Sequence, residues 1–326
     1  MSSMVFYSVL ALCGFILSLI GTRIMIIALR ERAQPLDIGL LRGRKNPTAP
    51  SGGGIVVVFS TIICLLVADM NYVLALCVLL LAAISMMNNI LPVPHFVRML
   101  VQIIAVAIPL SLSSYNILDG IAPIWMGQLL LGLLWLWLIQ KFSEMDSIDG
   151  LCASHAIVVA GGLCLIAVFD GIFPNQIFVY GLLVSAATMG FVWWNWHPAK
   201  IRLGEVGSVS LGFITGYLIL LALDAGYGEA CLILVSFIIV EAITTFIRRI
   251  YYRHSPEKDL APYHDRAVKV DRTPHNIVRI ITSLNFLLIF LAISCAADPN
   301  IFWFNLSMAY LAVMFILSFL VRHTHE

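Results

Sequence analysis

Hydrophobic residues fill long continuous stretches of this chain, and short polar connections separate the stretches. Each stretch approaches the roughly 20 apolar residues that a helix needs to cross the hydrocarbon core of a bilayer. The pattern therefore predicts an all-α polytopic membrane protein with about eleven transmembrane helices. We expect these helices at 4–29, 53–70, 72–87, 97–113, 121–140, 155–170, 176–194, 207–224, 229–248, 277–296 and 302–321.

Composition supports this class and excludes an ordinary soluble domain. Of the 326 residues, 61% are hydrophobic and 11% are charged, whereas a soluble domain carries about 25% charged residues. The N-terminal stretch lacks a basic n-region and a small-residue cleavage site, so we expect it to remain as the first span. Because the chain shows no internal repeat, we expect residues 1–326 to form one transmembrane domain. We expect a lipid bilayer around it and no nucleic-acid partner. The seven cysteines are typical of small apolar fillers.

The basic residues predict how the helices are oriented. If the N-terminus lies outside the cell, all 19 Lys and Arg residues fall in cytoplasmic connections, in the C-terminal tail or near cytoplasmic helix ends. The positive-inside rule then places the C-terminus in the cytoplasm. The outer loops are too short to hold a site. The candidate site loops are therefore the cytoplasmic connections at 30–52, 88–96, 141–154, 195–206 and 249–276.

Three acids within six residues mark the third cytoplasmic connection. Carboxylates near apolar surface are costly unless they meet a cation, a metal or water. Asp146 and Asp149 are three residues apart, so one helical turn would place both carboxylates on the same face. That arrangement suits Mg²⁺, which is usually held by one or two carboxylates together with substrate phosphates. A solvated acidic loop is the alternative interpretation.

The first two connections each leave two interpretations open. In the first, Lys45 and its basic neighbours precede a glycine run at 52–54, which could hold an anion through charge and backbone N–H groups. The alternative is a basic anchor followed by a flexible start of a helix. In the second, Asn88 and Asn89 could ligate through their carbonyl oxygens or cap a helix.

The fourth and fifth connections combine an acid with several cations. Glu205 is flanked by glycines at the start of a span, and Lys200 and Arg202 lie close enough in sequence to meet a phosphate. In the long basic connection, His264 could contact a substrate or could simply be solvated. Glu241 lies inside the preceding span, where an acid suggests a functional site by default.

Two motifs in these connections resemble a known family. DSIDG at 146–150 resembles DGIDG, and WNWHPAKIRLGEVGSVSLG at 194–212 closely resembles a stretch of the type WNWPPAKIFMGDAGSGFLG. With PTAPSGGG at 47–54 and the basic loop near 264, they resemble the polyprenyl-phosphate N-acetylhexosamine-1-phosphate transferases, glycosyltransferase family 4. That family includes the muramoyl-pentapeptide phosphotransferase, and the resemblance is greatest to the branch that initiates O-antigen synthesis in lipopolysaccharide.

The resemblance implies an enzyme of the bacterial inner membrane that acts at the cytoplasmic face. It would transfer a sugar-1-phosphate from a UDP-N-acetylhexosamine to undecaprenyl phosphate with Mg²⁺, and so initiate a lipid-linked cell-envelope glycan. The implied catalytic residues are Asp146, Asp149, Glu205, Asn88 and Asn89, with Glu205 and Asp149 as metal ligands. The implied substrate-binding residues are Lys45, Lys200, Arg202, His264, Gln140 and Ser143. A homodimer is compatible with the sequence.

Several positions depart from the family pattern. Asn88 and Asn89 stand where the family has an Asp pair, and Gln140 and Ser143 stand where it has two asparagines. Acids with one more methylene replace two aspartates, at Glu205 and Glu241, and Ala261 replaces a histidine. The departures motivate an alternative function: a catalytically inactive relative that binds polyprenyl phosphate or a partner enzyme. A transporter is a third hypothesis, motivated by the number of spans.

Overall fold

The computed structural model describes residues 2–33, 49–68, 71–171, 175–251, 263 and 274–321, and helices make up most of these ranges. The helices are α1 (Ser2–Ala33), α2 (Gly53–Val67), α3 (Tyr72–Ile90), α4 (His95–Leu112), α5 (Ile124–Met145), α6 (Leu151–Phe169), α7 (Gln176–Asn195), α8 (Gly204–Asp224), α9 (Gly228–Leu234), α10 (Ser236–Tyr251), α11 (Pro274–Ala297) and α12 (Phe302–Val321). A 3₁₀ helix, Pro299–Ile301, leads into α12. The all-α class is confirmed, since the described ranges contain no strand and one isolated bridge, between Ser51 and Arg202.

Each of the eleven predicted apolar stretches overlaps a described helix, and the stretch at 229–248 overlaps two. Nine described helices are long and apolar enough to cross a membrane, and the pair α9–α10, bent by 61°, would make a tenth span. Helix α2 has 15 residues, or roughly 22 Å at 1.5 Å per residue, which falls short of a hydrocarbon core of about 30 Å. A polytopic membrane protein is thus confirmed. The number of spans and their orientation stay predictions.

Helix α8 lies at the centre of the bundle. Its apolar window is 83% buried, against 78% for α6 and 17% for α1. It packs against α2, α3, α5, α6, α7 and α9. All of these helices except α9 adjoin one of the predicted site loops, and the start of α8 itself follows the loop at 195–206.

The start of α8 meets the start of α2 at a pair of glycines. A Cβ atom built on Gly54 would lie 2.3 Å from the Cα atom of Gly207, and one built on Gly207 would lie 2.6 Å from the Cα atom of Gly54. Small residues allow the backbones of membrane helices to approach closely. The two glycines therefore set the distance between the two helix starts.

The predicted span at 229–248 is broken near its middle. Helix α9 ends at Leu234, helix α10 begins at Ser236, and the axes differ by 61°. Glu241 lies on α10 with 1% of its surface exposed. The intramembrane acid predicted from the sequence is thus buried in protein, five residues after the start of the second half-helix.

One end of the bundle collects seven helix termini. Hydrogen bonds that cross between connections join the C-terminal ends of α3, α5 and α7 to the N-terminal ends of α4, α6 and α8. The start of α2 joins them through Gly54 N, which donates to the carbonyl oxygen of Leu203 at 2.8 Å. The described parts of the predicted site loops at 30–52, 88–96, 141–154 and 195–206 therefore lie close together.

Candidate active site

The turn Asp146–Gly150 links α5 to α6 and is fixed by a buried asparagine. Gly150 has φ of +79°, a left-handed conformation that glycine adopts without steric cost. Its N–H donates to Asn195 Oδ1 at 2.9 Å, and Asn195 Nδ2 donates to the carbonyl oxygen of Ile201 at 2.9 Å. Asn195 is 3% exposed. One amide thus ties the acidic turn to the loop before α8.

Asp149 faces the same loop. Its side chain is 5% exposed, and Oδ2 lies 2.9 Å from His197 Nδ1. The N–H of Ala199 donates to the same oxygen at 3.3 Å. A carboxylate oxygen accepts hydrogen bonds, so this contact fits the tautomer of His197 that carries a proton on Nδ1. Asp149 is therefore a buried carboxyl group held by a histidine and a backbone amide.

Asp146 contacts the start of α8 directly. Its Oδ2 accepts a hydrogen bond from the N–H of Gly204 at 3.0 Å. Gly204 has φ of +76°, and a Cβ atom there would lie 2.4 Å from Ser51 Oγ. A side chain at Gly204 would therefore be strained and would also push the first connection away. The contact places the Asp146 carboxyl group against Gly204, the residue that precedes Glu205.

Arg202 is occupied by the main chain of the acidic turn. Its Nη2 donates to the carbonyl oxygen of Asp146 at 2.5 Å. Its own N–H donates to the carbonyl oxygen of Pro50 at 2.8 Å, and its carbonyl oxygen accepts from Gly52 N and Gly53 N at 3.2 and 3.0 Å. Arg202 therefore joins the acidic turn to the glycine run as a structural link.

The backbone N–H groups of the glycine run at 52–54 donate to carbonyl oxygens of the protein itself. Gly52 N and Gly53 N donate to Arg202, and Gly54 N donates to Leu203. A Cβ atom on Gly53 would lie 2.3 Å from Phe191, which shows why this start of a helix is made of glycine. These contacts use the backbone donors that an anion site would need, and close helix packing, which neither interpretation named, accounts for the glycines.

Both oxygens of Glu205 contact side chains that flank the connection between α3 and α4, one at the end of α3 and one in the first turn of α4. Oε1 lies 2.6 Å from Arg98 Nη1, and these two side chains are 22% and 27% exposed. Oε2 accepts from Asn88 Nδ2 at 2.7 Å. Asn88 Oδ1 in turn accepts from the N–H of Val93 at 3.2 Å. Asn88 therefore orders its own loop with its oxygen and holds Glu205 with its nitrogen, while Asn89 is exposed.

The other predicted site residues take different places. Gln140 Nε2 donates to Gln102 Oε1 at 2.9 Å, and Ser143 is half-buried on α5. Lys200 is exposed, with its Nζ 4.8 Å from the ring centre of Trp194. Lys45 and His264 lie outside the described residues. The structure thus brings Asn88, Asp146, Asp149 and Glu205 to one end of the bundle.

Three residues of this site were missed by sequence reasoning: Arg98, His197 and Asn195. Arg98 carries a single charge in the first turn of α4, and no local pattern ties it to an acid 107 residues away. His197 could have been found, because the family-like stretch has proline at this place, WNWPPAK, where this chain reads WNWHPAK. Asn195 stands in the same motif and matches it.

The donor set is compatible with Mg²⁺ shared with a substrate. No group of three or more His, Cys, Asp and Glu side chains within the described ranges could hold a metal by itself. Mg²⁺ usually needs only one or two carboxylates, since substrate phosphates supply further oxygens. Asp146, Asp149 and Glu205 provide hard oxygen donors of that kind. The residues therefore fit a metal that arrives with phosphates and do not form a complete protein cage.

Comparisons with known proteins relate the region that contains this site to one family. The model of glycosyl transferase family 4 matches residues 71–223, a range that contains Asn88, Arg98, Asp146, Asp149 and Glu205. The resemblance inferred from the motifs is confirmed, since residues 71–223 match the model of glycosyl transferase family 4.

Curated relatives have names consistent with this family. A phospho-N-acetylmuramoyl-pentapeptide-transferase of Endomicrobium trichonymphae is 30% identical over 135 residues, which cover 36% of each chain. A probable undecaprenyl-phosphate N-acetylglucosaminyl 1-phosphate transferase of Bacillus subtilis (strain 168) is 27% identical over 191 residues, covering 56% of this chain and 52% of the relative. A phospho-N-acetylmuramoyl-pentapeptide-transferase of Neisseria gonorrhoeae (strain NCCP11945) is 23% identical over 192 residues, covering 54% and 47%. The matches thus span about a third to a half of these relatives.

Proposed function

We propose that this protein transfers an N-acetylhexosamine-1-phosphate from a UDP-sugar to undecaprenyl phosphate, and so initiates a lipid-linked glycan of the cell envelope. The observation that carries the proposal is the convergence of Asn88, Asp146, Asp149 and Glu205 from three separate connections. All four lie inside the region that matches glycosyl transferase family 4. The names of the relatives support the class of the transferred group, and one of them also supports the lipid acceptor.

The reaction makes modest chemical demands on the protein. An oxygen of the lipid phosphate bonds to the β-phosphorus of the UDP-sugar, the bond to the bridging oxygen breaks, and UMP leaves. A phosphate monoester has a second pKa of about 6, so much of the acceptor is already a dianion at neutral pH. Phosphoryl transfer depends mainly on positioning and electrostatic stabilisation. The Asn pair, which cannot act as a base, is compatible with that chemistry.

Cationic side chains would offset the charge of the diphosphate. Lys200 is exposed on the loop between α7 and α8, where its ammonium group lies over Trp194. Arg98 brings a guanidinium group to Glu205. The chemistry that bound Mg²⁺ would supply is further neutralisation of diphosphate charge, and Asp149 and Glu205 are the side chains that would hold it.

An apolar cavity offers a place for the polyprenyl chain. Its volume is about 470 Å³, and residues of α5, α8, α9 and α10 line most of it. The lining includes Leu134, Leu232 and Ile243, which are 47%, 44% and 51% exposed, so the cavity reaches the outer surface of the bundle. Leu138, also in the lining, precedes Asp146 by eight residues, or roughly 12 Å along a helix. A chain in this cavity could present its phosphate to the site.

We place the reaction at the cytoplasmic face of the bacterial inner membrane. The relatives are bacterial, and the site lies at the end of the bundle whose connections carry the Lys and Arg residues. The positive-inside rule assigns such an end to the cytoplasm, where nucleotide-sugars are made. Accessibility of single cysteines introduced at Lys200 and at Asp119 to a membrane-impermeant thiol reagent would test the orientation. Labelling of the cysteine at position 200 in intact cells would contradict the proposed orientation.

A direct assay tests the proposed reaction. Membranes that contain the protein are incubated with Mg²⁺, undecaprenyl phosphate and labelled UDP-N-acetylhexosamines, and UMP release is measured. We expect turnover with at least one sugar and its loss in Asp149→Asn. The matched control is Glu144→Gln, which removes a neighbouring acid that pairs with Lys141 and is 43% exposed. No UMP release with any of these sugars, or an unchanged rate in Asp149→Asn, would contradict the proposal.

The second candidate is a catalytically inactive relative that binds polyprenyl phosphate or a partner enzyme. One observation favours it: both Glu205 oxygens are already bound by Arg98 and Asn88. Restoring Asn88→Asp together with Asn89→Asp separates the two functions. Turnover that appears only in the double variant would support the inactive relative, whereas turnover in the native protein would exclude it.

A further inference from the structure

The cluster of Asn88, Arg98 and Glu205 has no net charge. The carboxylate contributes one negative charge, the guanidinium contributes one positive charge, and the amide contributes none. A divalent cation is held by oxygen ligands that carry negative charge. To bind one, Glu205 would have to exchange a charge-assisted hydrogen bond of 2.6 Å to Arg98 for the metal.

The same contact accounts for the asparagine at position 88. The 2.7 Å that separates Asn88 Nδ2 from Glu205 Oε2 is a hydrogen-bond distance. An aspartate there would place two carboxylates against each other, which is unfavourable unless a cation lies between them. The amide removes that requirement because it donates to Glu205 directly. Asn88 therefore stabilises Glu205 in the absence of a metal.

Arg98 also has an unused donor. Its Nε is buried and has no hydrogen-bond partner within the described part of the chain. A buried donor without a partner costs free energy, and an arginine can bind a phosphate through two parallel hydrogen bonds. A diphosphate that takes the guanidinium would thus satisfy Arg98 better than Glu205 alone does, and would release the carboxylate.

We propose that Arg98 and a divalent cation compete for Glu205, so that the Asn88–Arg98–Glu205 cluster keeps the metal affinity of the unliganded protein low. Binding of the substrate diphosphate to Arg98 releases Glu205 for the metal, so the two ligands bind with positive coupling. The proposal deepens the proposed function, on which the identity of the diphosphate rests. The competition itself is a property of the protein without substrate.

Mn²⁺ binding to the purified full chain tests the competition without turnover. Mn²⁺ prefers the same oxygen ligands as Mg²⁺, and its unbound fraction is measured by electron paramagnetic resonance. We expect weak binding to the native protein and binding about tenfold tighter in Arg98→Gln, the effect of losing roughly one charge-assisted hydrogen bond. Asn88→Asp should tighten binding as well, from the opposite side of Glu205. Adding Glu205→Gln to Arg98→Gln should return the affinity to the native value.

Lys141→Gln is the matched control. It breaks a cation–carboxylate pair, Lys141–Glu144, near the same end of the bundle and removes the same charge. We expect no change in Mn²⁺ affinity, because Glu144 is not part of the cluster. Equal tightening in this variant would overturn the proposal, since the effect would then reflect net charge alone.

Two further results would also overturn the proposal: native affinity as high as that of Arg98→Gln, or affinity that stays weak in both Arg98→Gln and Asn88→Asp. The outcome is separate from that of the transfer assay. A protein without turnover that shows the Arg98-dependent change in Mn²⁺ affinity would reject the proposed function and keep the competition. A protein with turnover and tight native Mn²⁺ binding would keep the proposed function and reject the competition.

Discussion

Asn195 is the side chain whose removal should most disturb the site without touching a charge. Asn195→Ala leaves Gly150 N and the carbonyl oxygen of Ile201 without their partners, and both residues are buried. Each buried group left unsatisfied costs about 1–3 kcal/mol, so the pair costs about 2–6 kcal/mol. At about 2 °C per kcal/mol, the lower end of the range for large domains, the unfolding temperature should fall by about 4–12 °C.

The cysteines of the chain supply the assay. Six of the seven are buried, and Cys13 is exposed, so a thiol-reactive fluorophore reports unfolding of the detergent-solubilised protein. The control is Asn175→Ala, which removes a single cap hydrogen bond to Phe178 N at the other end of α7 and should cost about 1 kcal/mol. At about 2 °C per kcal/mol, the control variant should unfold about 2 °C below the native protein. If the unfolding temperature of Asn195→Ala lies within about 1–2 °C of the control, the two hydrogen bonds of Asn195 do not hold the turn.

Two further substitutions test the helix packing and the cavity. Gly54→Ala should impair folding or abolish turnover, because its Cβ would lie 2.3 Å from the backbone of Gly207, whereas Gly161→Ala, whose Cβ would lie 3.4 Å from its nearest neighbour, should be tolerated. The yield of folded protein in detergent distinguishes them. Leu134→Trp, which fills the lining of the cavity, should raise the KM for undecaprenyl phosphate several-fold and leave that for the UDP-sugar unchanged. Leu133→Trp, 57% exposed and outside the lining, should change neither.

The helices were predictable because a membrane imposes one rule on the whole chain. A backbone in hydrocarbon must satisfy its own hydrogen bonds, so every long apolar stretch had to be helical. The break between α9 and α10 was not predictable. It falls at Val235, within the sequence CLILVSFIIV, which has neither glycine nor proline. The bend can depend on what the two half-helices pack against, α11 and α12 among them, and on Ser236, whose Oγ donates to the carbonyl oxygen of Leu232 at 2.9 Å, a contact that often bends helices.

The acids of the site were predictable from residue type, but their partners were not. Carboxylates beside apolar spans are costly enough to stand out in a composition. Whether Glu205 meets a metal or an arginine depends on where α4 starts relative to α8, and Arg98 and Glu205 are 107 residues apart. The partner of Arg202 was likewise not predictable. Its sequence position suggested contact with a substrate phosphate, whereas its guanidinium group donates to the carbonyl oxygen of Asp146.

The departures from the family pattern are coupled to one another and should not be counted as independent losses. The Asn88 amide donates to Glu205 Oε2 while Arg98 balances the charge on Oε1, so both residues act on the same carboxylate. In this arrangement the charges of Arg98 and Glu205 balance each other without a ligand. It also means that Asn88→Asp alone adds a carboxylate beside Glu205, which only a cation can offset. Whether the protein turns over therefore depends on how readily substrate phosphates displace Arg98, and not on the number of acids that the site retains.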